Sequence, residues 1–168
     1  MSKLKELHTP VFWAEGHPGK FDRESWAIKV SGICANPKTF TWHELIALPK
    51  SIADARLTSV TRFSVRGRGG VIEVALRERT LFAYEFDSEY LEEDYGGPVR
   101  GFCPYLWGYK SAKSVVKVEL MDRYVSGFWE QRGYPDEALI TAGNVRDINQ
   151  GGRVRPIPGG EVIRFLDE

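Results

Sequence analysis

Two lysines flank a pair of small residues in GYKSAKSVVKVEL, residues 108–120, where a loop enters a predicted strand. Small side chains allow backbone N–H groups to approach an oxyanion closely, while the ammonium groups of Lys110 and Lys113 neutralise its charge. Arg100, ten residues before Lys110, adds a guanidinium that can hold a phosphate in a bidentate fork. The same lysines also fit a solvated pair at the edge of a sheet, where lysine is favoured. The residues alone leave both interpretations open.

A second polar set lies in RLTSVTRFSVRGRGG, residues 56–70, where polar and apolar side chains alternate. A period of two predicts a half-buried strand, followed here by a turn in the arginines and glycines. Ser59, Thr61 and Arg62 either hold an anion or a cofactor, or are ordinary side chains beside that turn. The local pattern on its own favours ordinary side chains.

The elements that must position these residues are mostly short strands. Strands are predicted near 26–33, 56–65, 114–121 and 161–166. A short helix is predicted near 42–48, because Thr41 and Glu44 have the spacing of a capping box and Pro49 ends the helix. Many short strands, little helix and glycine-rich joints predict a β-rich α+β fold. The length of 168 residues fits a single domain spanning 1–168.

Composition narrows the classes of partner. The 23 Lys and Arg residues are balanced by 23 Asp and Glu residues, so no net field favours nucleic acid or an acidic membrane. No apolar run is long enough for a signal peptide or a membrane span, and we therefore expect a cytoplasmic protein. Cys34 and Cys103 are far apart and form no CxxC or Cys/His cluster, which predicts small buried hydrophobes and no zinc site.

Five segments follow one another in order between residue 8 and about residue 134: HTPVFWAEGHP, WAIKVSGICANPKTFTWHELIALP, LTSVTRFS, LFAYEFDSEYLEEDYGGPVRGFCPYLWGYKSAKSVVKVELMD and GFWEQRGY. The most specific piece is P-V-R followed by P-x-L-x-G-Y-K-S-A-K-S. In these segments the chain resembles the molybdopterin-binding domain of the sulfite oxidase family, including its small bacterial members and the periplasmic methionine-sulfoxide reductases. The resemblance implies the β-rich α+β fold of that family and a molybdenum–molybdopterin cofactor.

The resemblance also implies roles for individual residues. In the family, the K-S-x-K loop cradles the terminal phosphate of the pterin cofactor, which here means Ser111, Ala112 and Lys113, with Lys110 beside them. The arginine of the family motif G-x-P-x-R contacts the same cofactor and matches Arg100.

Two further cofactor-binding positions follow from the same comparison. The polar residue five positions before the motif arginine matches Tyr95, where relatives often have His or Asn. The sulfite oxidases have an Asn-His pair where this chain has Gly16-His17, so that only the histidine of the pair is present.

The candidate metal ligand departs from the family pattern. At LTSVTRFS the family has a cysteine followed by V-x-x-W-S, and the cysteine thiolate is the only bond from the protein to molybdenum. This sequence has Ser59 in the place of that cysteine and Phe63 in the place of the tryptophan. A thiolate is a soft, readily ionised ligand, whereas a serine must lose a far less acidic proton. Serine ligates molybdenum in an unrelated molybdopterin family, so ligation by Ser59 stays open.

The middle of the chain is also short. The eleven residues RGRGGVIEVAL, 66–76, stand where family members carry several tens of residues that complete the pocket wall. We therefore expect part of the substrate pocket, and one stretch that contacts the pterin, to be missing.

Two functions from different classes fit these features. We favour a degenerate family member that binds a pterin or another phosphate-bearing ligand through Arg100 and the loop from Lys110 to Lys113, without ordinary redox catalysis. The alternative is an active molybdenum–pterin oxidoreductase that transfers an oxygen atom on sulfite or a sulfoxide-like substrate, with the cofactor carrying the chemistry. A hydrolase built on Ser59 and His17 ranks third, because no G-x-S-x-G motif accompanies them.

Overall fold

The structure is a computed structural model that describes residues 2–59, 63–73, 80–147, 151–159 and 165–166. Its two short α-helices are α1 (Lys3–Glu6) and α2 (Trp42–Ile46). Single turns of 3₁₀-helix occur at Glu93–Tyr95, Gly108–Lys110 and Glu130–Arg132.

The rest of the regular structure is made of strands. They are β1 (Ala27–Gly32), β2 (Lys38–Thr41), β3 (Ser51–Thr58), β4 (Phe63–Glu73), β5 (Leu81–Ala83), β6 (Glu85–Phe86), β7 (Glu89–Tyr90), β8 (Arg100–Phe102), β9 (Lys117–Leu120), β10 (Thr141–Asp147), β11 (Arg153–Gly159) and β12 (Phe165–Leu166). Strands therefore outnumber helices in the described ranges, and the predicted β-rich α+β fold is confirmed.

A three-stranded sheet is centred on β1, which runs antiparallel to β2 and parallel to β9. Ile28 on β1 is 0% exposed and packs in a hydrophobic cluster with Trp26 and Trp42. Burial of such a side chain contributes about 1.5–3 kcal/mol, which holds β1 in its register. The strand predicted near 26–33 is confirmed, and the strand predicted near 114–121 is present over Lys117–Leu120.

Helix α2 begins with the predicted capping box. The Glu44 N–H donates to the Thr41 hydroxyl at 3.3 Å, and the Glu44 carboxylate accepts from the Thr41 N–H at 2.9 Å. These two bonds satisfy donors that the start of a helix leaves free. The helix ends at Ile46, two residues earlier than predicted and ahead of Pro49.

The larger sheet has the strand order β11-β10-β4-β3-β12, and β5 joins it by pairing with both β4 and β8. The hairpin of β10 and β11 was not predicted, since their sequences lack a clean period of two. Of the strand predicted at 161–166, the structure describes β12, which pairs with β3; residues 161–164 lie outside the described ranges.

The prediction of one strand over 56–65 was wrong. Strand β3 ends at Thr58, and the antiparallel β4 begins at Phe63, with Thr58 opposite Ser64. The arginines and glycines expected to form a turn lie inside β4 instead. An alternating pattern does not register a chain reversal when neither glycine nor proline marks it, because both arms keep the same period.

Strand β8 enters the candidate site from the buried interior. Val99 is 0% exposed, Pro98 is fully buried, and the following residue is Arg100. The Val115 N–H donates to the Val99 carbonyl at 2.9 Å. This bond ties the chain just after the loop Ser111–Lys113, called the lysine loop below, to the segment before Arg100. The core thus fixes the position of Arg100 relative to the loop that contains Lys113.

Candidate functional site

Arg100 is held by backbone carbonyls at the start of β8. Its Nη1 donates to the Tyr95 carbonyl at 2.9 Å and its Nη2 to the Ser111 carbonyl at 3.3 Å. The Nε atom is buried and has no hydrogen-bond partner among the described residues. Burial lowers the pKa of Arg100 to about 10, so the guanidinium keeps its charge at neutral pH. Because the guanidinium is fixed in position and its Nε–H has no partner among the described residues, it is suited to bind an anion.

The loop Ser111–Lys113 lies directly on β8. The buried Ser111 hydroxyl accepts from the Cys103 N–H at 3.1 Å, and the Ala112 carbonyl accepts from the Gly101 N–H at 2.7 Å. A Cβ at Gly101 would lie 3.3 Å from the Ala112 nitrogen, so a small residue there permits this close contact. Ala112 itself is exposed. Within the described ranges its N–H makes no backbone hydrogen bond, and nor does that of Lys113.

Lys113 turns toward the N-terminal segment. Its Nζ donates to the carbonyls of Phe12 at 3.1 Å and Asp94 at 3.0 Å, and lies 4.4 Å from the centre of the Trp13 ring. Burial, helped by the neighbouring positive charge of Arg100, lowers the pKa of Lys113 to about 8. Two cations therefore lie close together, and their mutual repulsion would be relieved by a bound anion.

His17 joins this cluster through two neighbours. Its Nε2 lies 3.1 Å from Asp94 Oδ1, and its Nδ1 accepts from the Gly19 N–H at 2.9 Å. Because Nδ1 accepts, Nε2 carries the proton and donates to the carboxylate. The imidazole also meets the Trp13 ring edge-on, with 5.0 Å between ring centres. His17, Trp13, Asp94 and Lys113 thus form one connected group.

Lys110 does not point to the same place as Lys113. Its ammonium pairs with the Glu130 carboxylate, and the two side chains are only 18% and 8% exposed. This pair anchors the turn Glu130–Arg132 to the lysine loop. The positive charge of Lys110 is therefore already neutralised by the Glu130 carboxylate.

Tyr95 contributes its carbonyl, which accepts from Arg100. Its ring is buried in a hydrophobic cluster with Leu4, Leu81 and Phe102, and burial raises the pKa of its hydroxyl. Through that carbonyl Tyr95 orients Arg100.

Ser59 is half-buried and directly follows the end of β3. The residue before it, Thr58, has its carbonyl oxygen 3.3 Å from where a Cβ on Gly108 would lie. The end of β3 therefore lies against the turn Gly108–Lys110 that leads into the lysine loop. Thr61 and Arg62 fall outside the described ranges.

The cysteines differ in burial. Cys103 is buried as predicted, whereas Cys34 is half-buried, and both are free thiols. Burial raises the pKa of the Cys103 thiol, with Thr80 and the charge of Lys110 acting in the opposite direction. A thiol with a raised pKa is a poor source of thiolate at neutral pH.

Three contributors were missed from the sequence: Trp13, Asp94 and Glu130. Trp13 lies in the aromatic segment that was singled out only for His17, and Asp94 immediately precedes Tyr95. Their contacts with Lys113 and Lys110 span 19 to 100 residues of chain. A weak signal existed in the acidic residues of EEDYGG and GFWEQRGY, but no spacing rule relates them to the lysines.

The assembled site brings Arg100 within electrostatic reach of Lys113, next to the exposed Ala112. In the described part of the chain, the N–H groups of Ala112 and Lys113 make no backbone hydrogen bond. The site can neutralise a doubly charged phosphate and donate several hydrogen bonds to its oxygens. No helix in the described part of the chain is both long and apolar enough to cross a membrane.

Comparison with known proteins finds similarity to molybdopterin-binding oxidoreductases. The family model described as "Oxidoreductase molybdopterin binding domain" matches residues 66–129, which include Arg100 and the lysine loop. The uncharacterized oxidoreductase YuiH of Bacillus subtilis is 25% identical over 158 residues, covering 74% of this chain and 80% of that protein. A putative protein-methionine-sulfoxide reductase subunit, YedZ1 of Azospira oryzae, is 23% identical over 156 residues, covering 74% of this chain and 60% of that protein.

The fold is shared with a solved structure. The sulfane dehydrogenase SoxCD from Paracoccus pantotrophus superposes with a TM-score of 0.54 at 13% sequence identity, covering 84% of this chain and 46% of the SoxCD chain. The family match, the two relatives and the common fold together make this chain similar to molybdopterin-binding oxidoreductase domains of the sulfite oxidase type.

Proposed function

We propose that this chain binds the terminal phosphate of a molybdopterin-type cofactor through Arg100, Lys113 and the backbone of Ser111–Lys113, and does so without ordinary redox catalysis. The observation that carries the proposal is that two cations, Arg100 and Lys113, donate to the carbonyls of the consecutive residues Tyr95 and Asp94. Both have a lowered pKa, Arg100 through burial and Lys113 through burial and the charge of Arg100. Placing two cations together in a partly buried position costs free energy unless an anion binds between or beside them.

The residues present fit the phosphate end of the cofactor. Arg100 Nε is a buried donor without a partner among the described residues. Beside the exposed Ala112 methyl group, the N–H groups of Ala112 and Lys113 make no backbone hydrogen bond within the same ranges. His17 and Trp13 position Lys113 through Asp94 and through the aromatic ring, respectively. When bound, the group supplies a metal centre able to transfer an oxygen atom and two electrons.

The metal end fits less well. Ser59 offers a hydroxyl where the family uses a thiolate, and a hydroxyl is a harder and much less acidic ligand. The lining that family members build from a longer middle segment is also shortened in this sequence. On this basis we infer weak retention of molybdenum and no oxidation of sulfite.

The alternative, an active oxidoreductase, is favoured by the relatives. One carries the name of an oxidoreductase and the other that of a reductase subunit. In that case Ser59 would ligate the metal, and sulfite or a sulfoxide-like molecule would be the substrate.

The test is to purify the chain from a host that synthesises the cofactor, then measure bound pterin by fluorescence after oxidation and molybdenum by mass spectrometry. We expect near-stoichiometric pterin, little molybdenum and no turnover of sulfite or of a sulfoxide. The double variant Arg100→Met, Lys113→Met should lose the pterin, whereas Lys117→Met, at an exposed ion pair, should keep it. Wild-type protein without pterin would overturn the binding proposal. Full molybdenum with turnover would establish the alternative.

A further inference from the structure

A cavity of about 600 Å³ lies beside the turn Gly108–Lys110, on the side of strand β10. Its size is in the range of pockets that bind small organic ligands. The residues that line it come from the turn, the segment after Glu130–Arg132 and the hairpin of β10 and β11: Trp107, Tyr109, Tyr134, Pro135, Thr141, Ala142, Gly143, Asn144, Val145 and Ile157.

Its aromatic wall is held in place before any ligand arrives. The rings of Tyr109 and Tyr134 meet at 73° with 5.1 Å between their centres. The Tyr109 hydroxyl donates to the Pro135 carbonyl at 2.7 Å, which fixes the ring from its far end. Edge-to-face contact of this kind stabilises the pair beyond its buried area.

The floor of the cavity is a small hydrophobic core of its own. Val145 is 1% exposed and Ile157 is 3% exposed, and Trp107 packs against them. Since the floor and the wall are both anchored by contacts within the protein, a ligand entering the cavity would not have to order them. A preformed pocket of this type loses little entropy on binding.

The described lining of the cavity favours uncharged ligands. None of the lining residues that the structure describes carries a formal charge. The nearest charge on this turn, the Lys110 ammonium, is paired with Glu130. Among the described lining residues, a small anion would therefore lose hydration without gaining an ionic partner. Thr141 and Asn144 still offer hydrogen bonds to an uncharged polar group.

We infer that this cavity binds an uncharged organic molecule with an aromatic or apolar face. The site differs from the cation cluster of Arg100 and Lys113, although Trp107 and Tyr109 flank Gly108, which touches the end of β3 just before Ser59. The two sites are thus neighbours with opposite preferences, one for an anion and one for a neutral molecule.

The matched probes are acetophenone, which is uncharged, and benzoate, which has a similar ring and a negative charge. Binding to the full chain is measured by ligand-observed saturation-transfer NMR and by competition. We expect acetophenone to bind at least about tenfold more tightly than benzoate, because the carboxylate must be desolvated without a counter-ion. Equal or tighter binding of benzoate would overturn the inference.

The variant Gly143→Leu tests whether acetophenone binds in this cavity, because Gly143 is one of its lining residues. A Cβ at Gly143 meets nothing within 4 Å, so the added side chain occupies the open space without a clash. We expect acetophenone binding to weaken at least about tenfold, while Val154→Leu, on the exposed face of the neighbouring strand, leaves it unchanged. Tyr134→Ala, which removes part of the aromatic wall, is the second variant and should also weaken binding.

Unchanged affinity in both cavity variants would overturn the inference. Circular dichroism confirms that each variant is folded. Because these measurements require neither pterin nor molybdenum, their outcome is independent of the cofactor proposal.

Discussion

Raising the pH from 7 to 9 should weaken the binding of an oxyanion at Lys113 about tenfold. In the free protein the pKa of Lys113 is lowered to about 8 by burial and by the charge of Arg100. A group with this pKa is roughly 90% protonated at pH 7 and roughly 10% at pH 9, and only the protonated form attracts the anion. Arg100, whose pKa is lowered to about 10, stays mostly charged over the same interval. The loss of affinity therefore reports on Lys113.

The variant Lys113→Met removes the charge and keeps an unbranched side chain. A charge-assisted hydrogen bond contributes roughly 1.5–3 kcal/mol, so binding at pH 7 should weaken by about ten- to a hundredfold. The pH dependence between 7 and 9 should disappear at the same time. Inorganic sulfate is a suitable probe in calorimetric titration, because its own charge is constant over this interval.

The matched control is Lys117→Met, since Lys117 is an exposed lysine of the same segment that pairs with Glu119. Sulfate affinity and its pH dependence should be those of the wild type in this control. A wild-type affinity that is flat from pH 7 to 9, or equal affinities for wild type and Lys113→Met, would refute the assignment of the anion site to Lys113.

Three further outcomes are expected. Ser59→Cys should raise the molybdenum content, measured by mass spectrometry, only modestly and leave sulfite turnover absent; full metal with turnover would mean that ligand loss is the sole defect. Glu130→Gln should lower the free energy of unfolding in urea by about 2–3 kcal/mol, because it leaves a partly buried ammonium without its anion. Glu119→Gln, at an exposed pair, should change it by less than about 1 kcal/mol, and equal effects would contradict the argument. Asp147→Asn should cost roughly 3–5 kcal/mol in the same assay, since Asp147 is 0% exposed and faces two arginines; a loss below about 1 kcal/mol would contradict it.

Local rules predicted the parts of the fold in which neighbours in sequence decide the conformation. The capping box of α2 depends on Thr41 and Glu44, three residues apart, and the sequence is sufficient to identify it. Strand β1 was likewise predicted from its alternation. The reversal between β3 and β4 was missed because it depends on the pairing of Thr58 with Ser64, which no local signal marks.

The sequence likewise predicted one part of the candidate site and missed another. The convergence of Arg100 with Ser111 and Lys113 was expected from the family order of segments, and the structure brings the three together. The separation of the two lysines was not expected, because the direction of Lys110 is set by Glu130, twenty residues later. Tertiary contacts over such distances leave no periodic trace in the sequence.

In the proposed function, phosphate binding and metal binding depend on different parts of this chain. Arg100 is fixed by the carbonyls of Tyr95 and Ser111 and by the buried segment before it, and none of these contacts involves Ser59. Ser59 instead follows the end of β3, where Leu57 and Thr58 lie against Gly108 at the start of the turn Gly108–Lys110. Under the proposed function, a hydroxyl in place of a thiolate at that position would weaken the hold on the metal and leave the two cations Arg100 and Lys113 in place. If the two functions are separable in this way, the electrostatic repulsion between Arg100 and Lys113 persists without the metal. Binding a phosphate would then relieve that repulsion whether or not a metal is present.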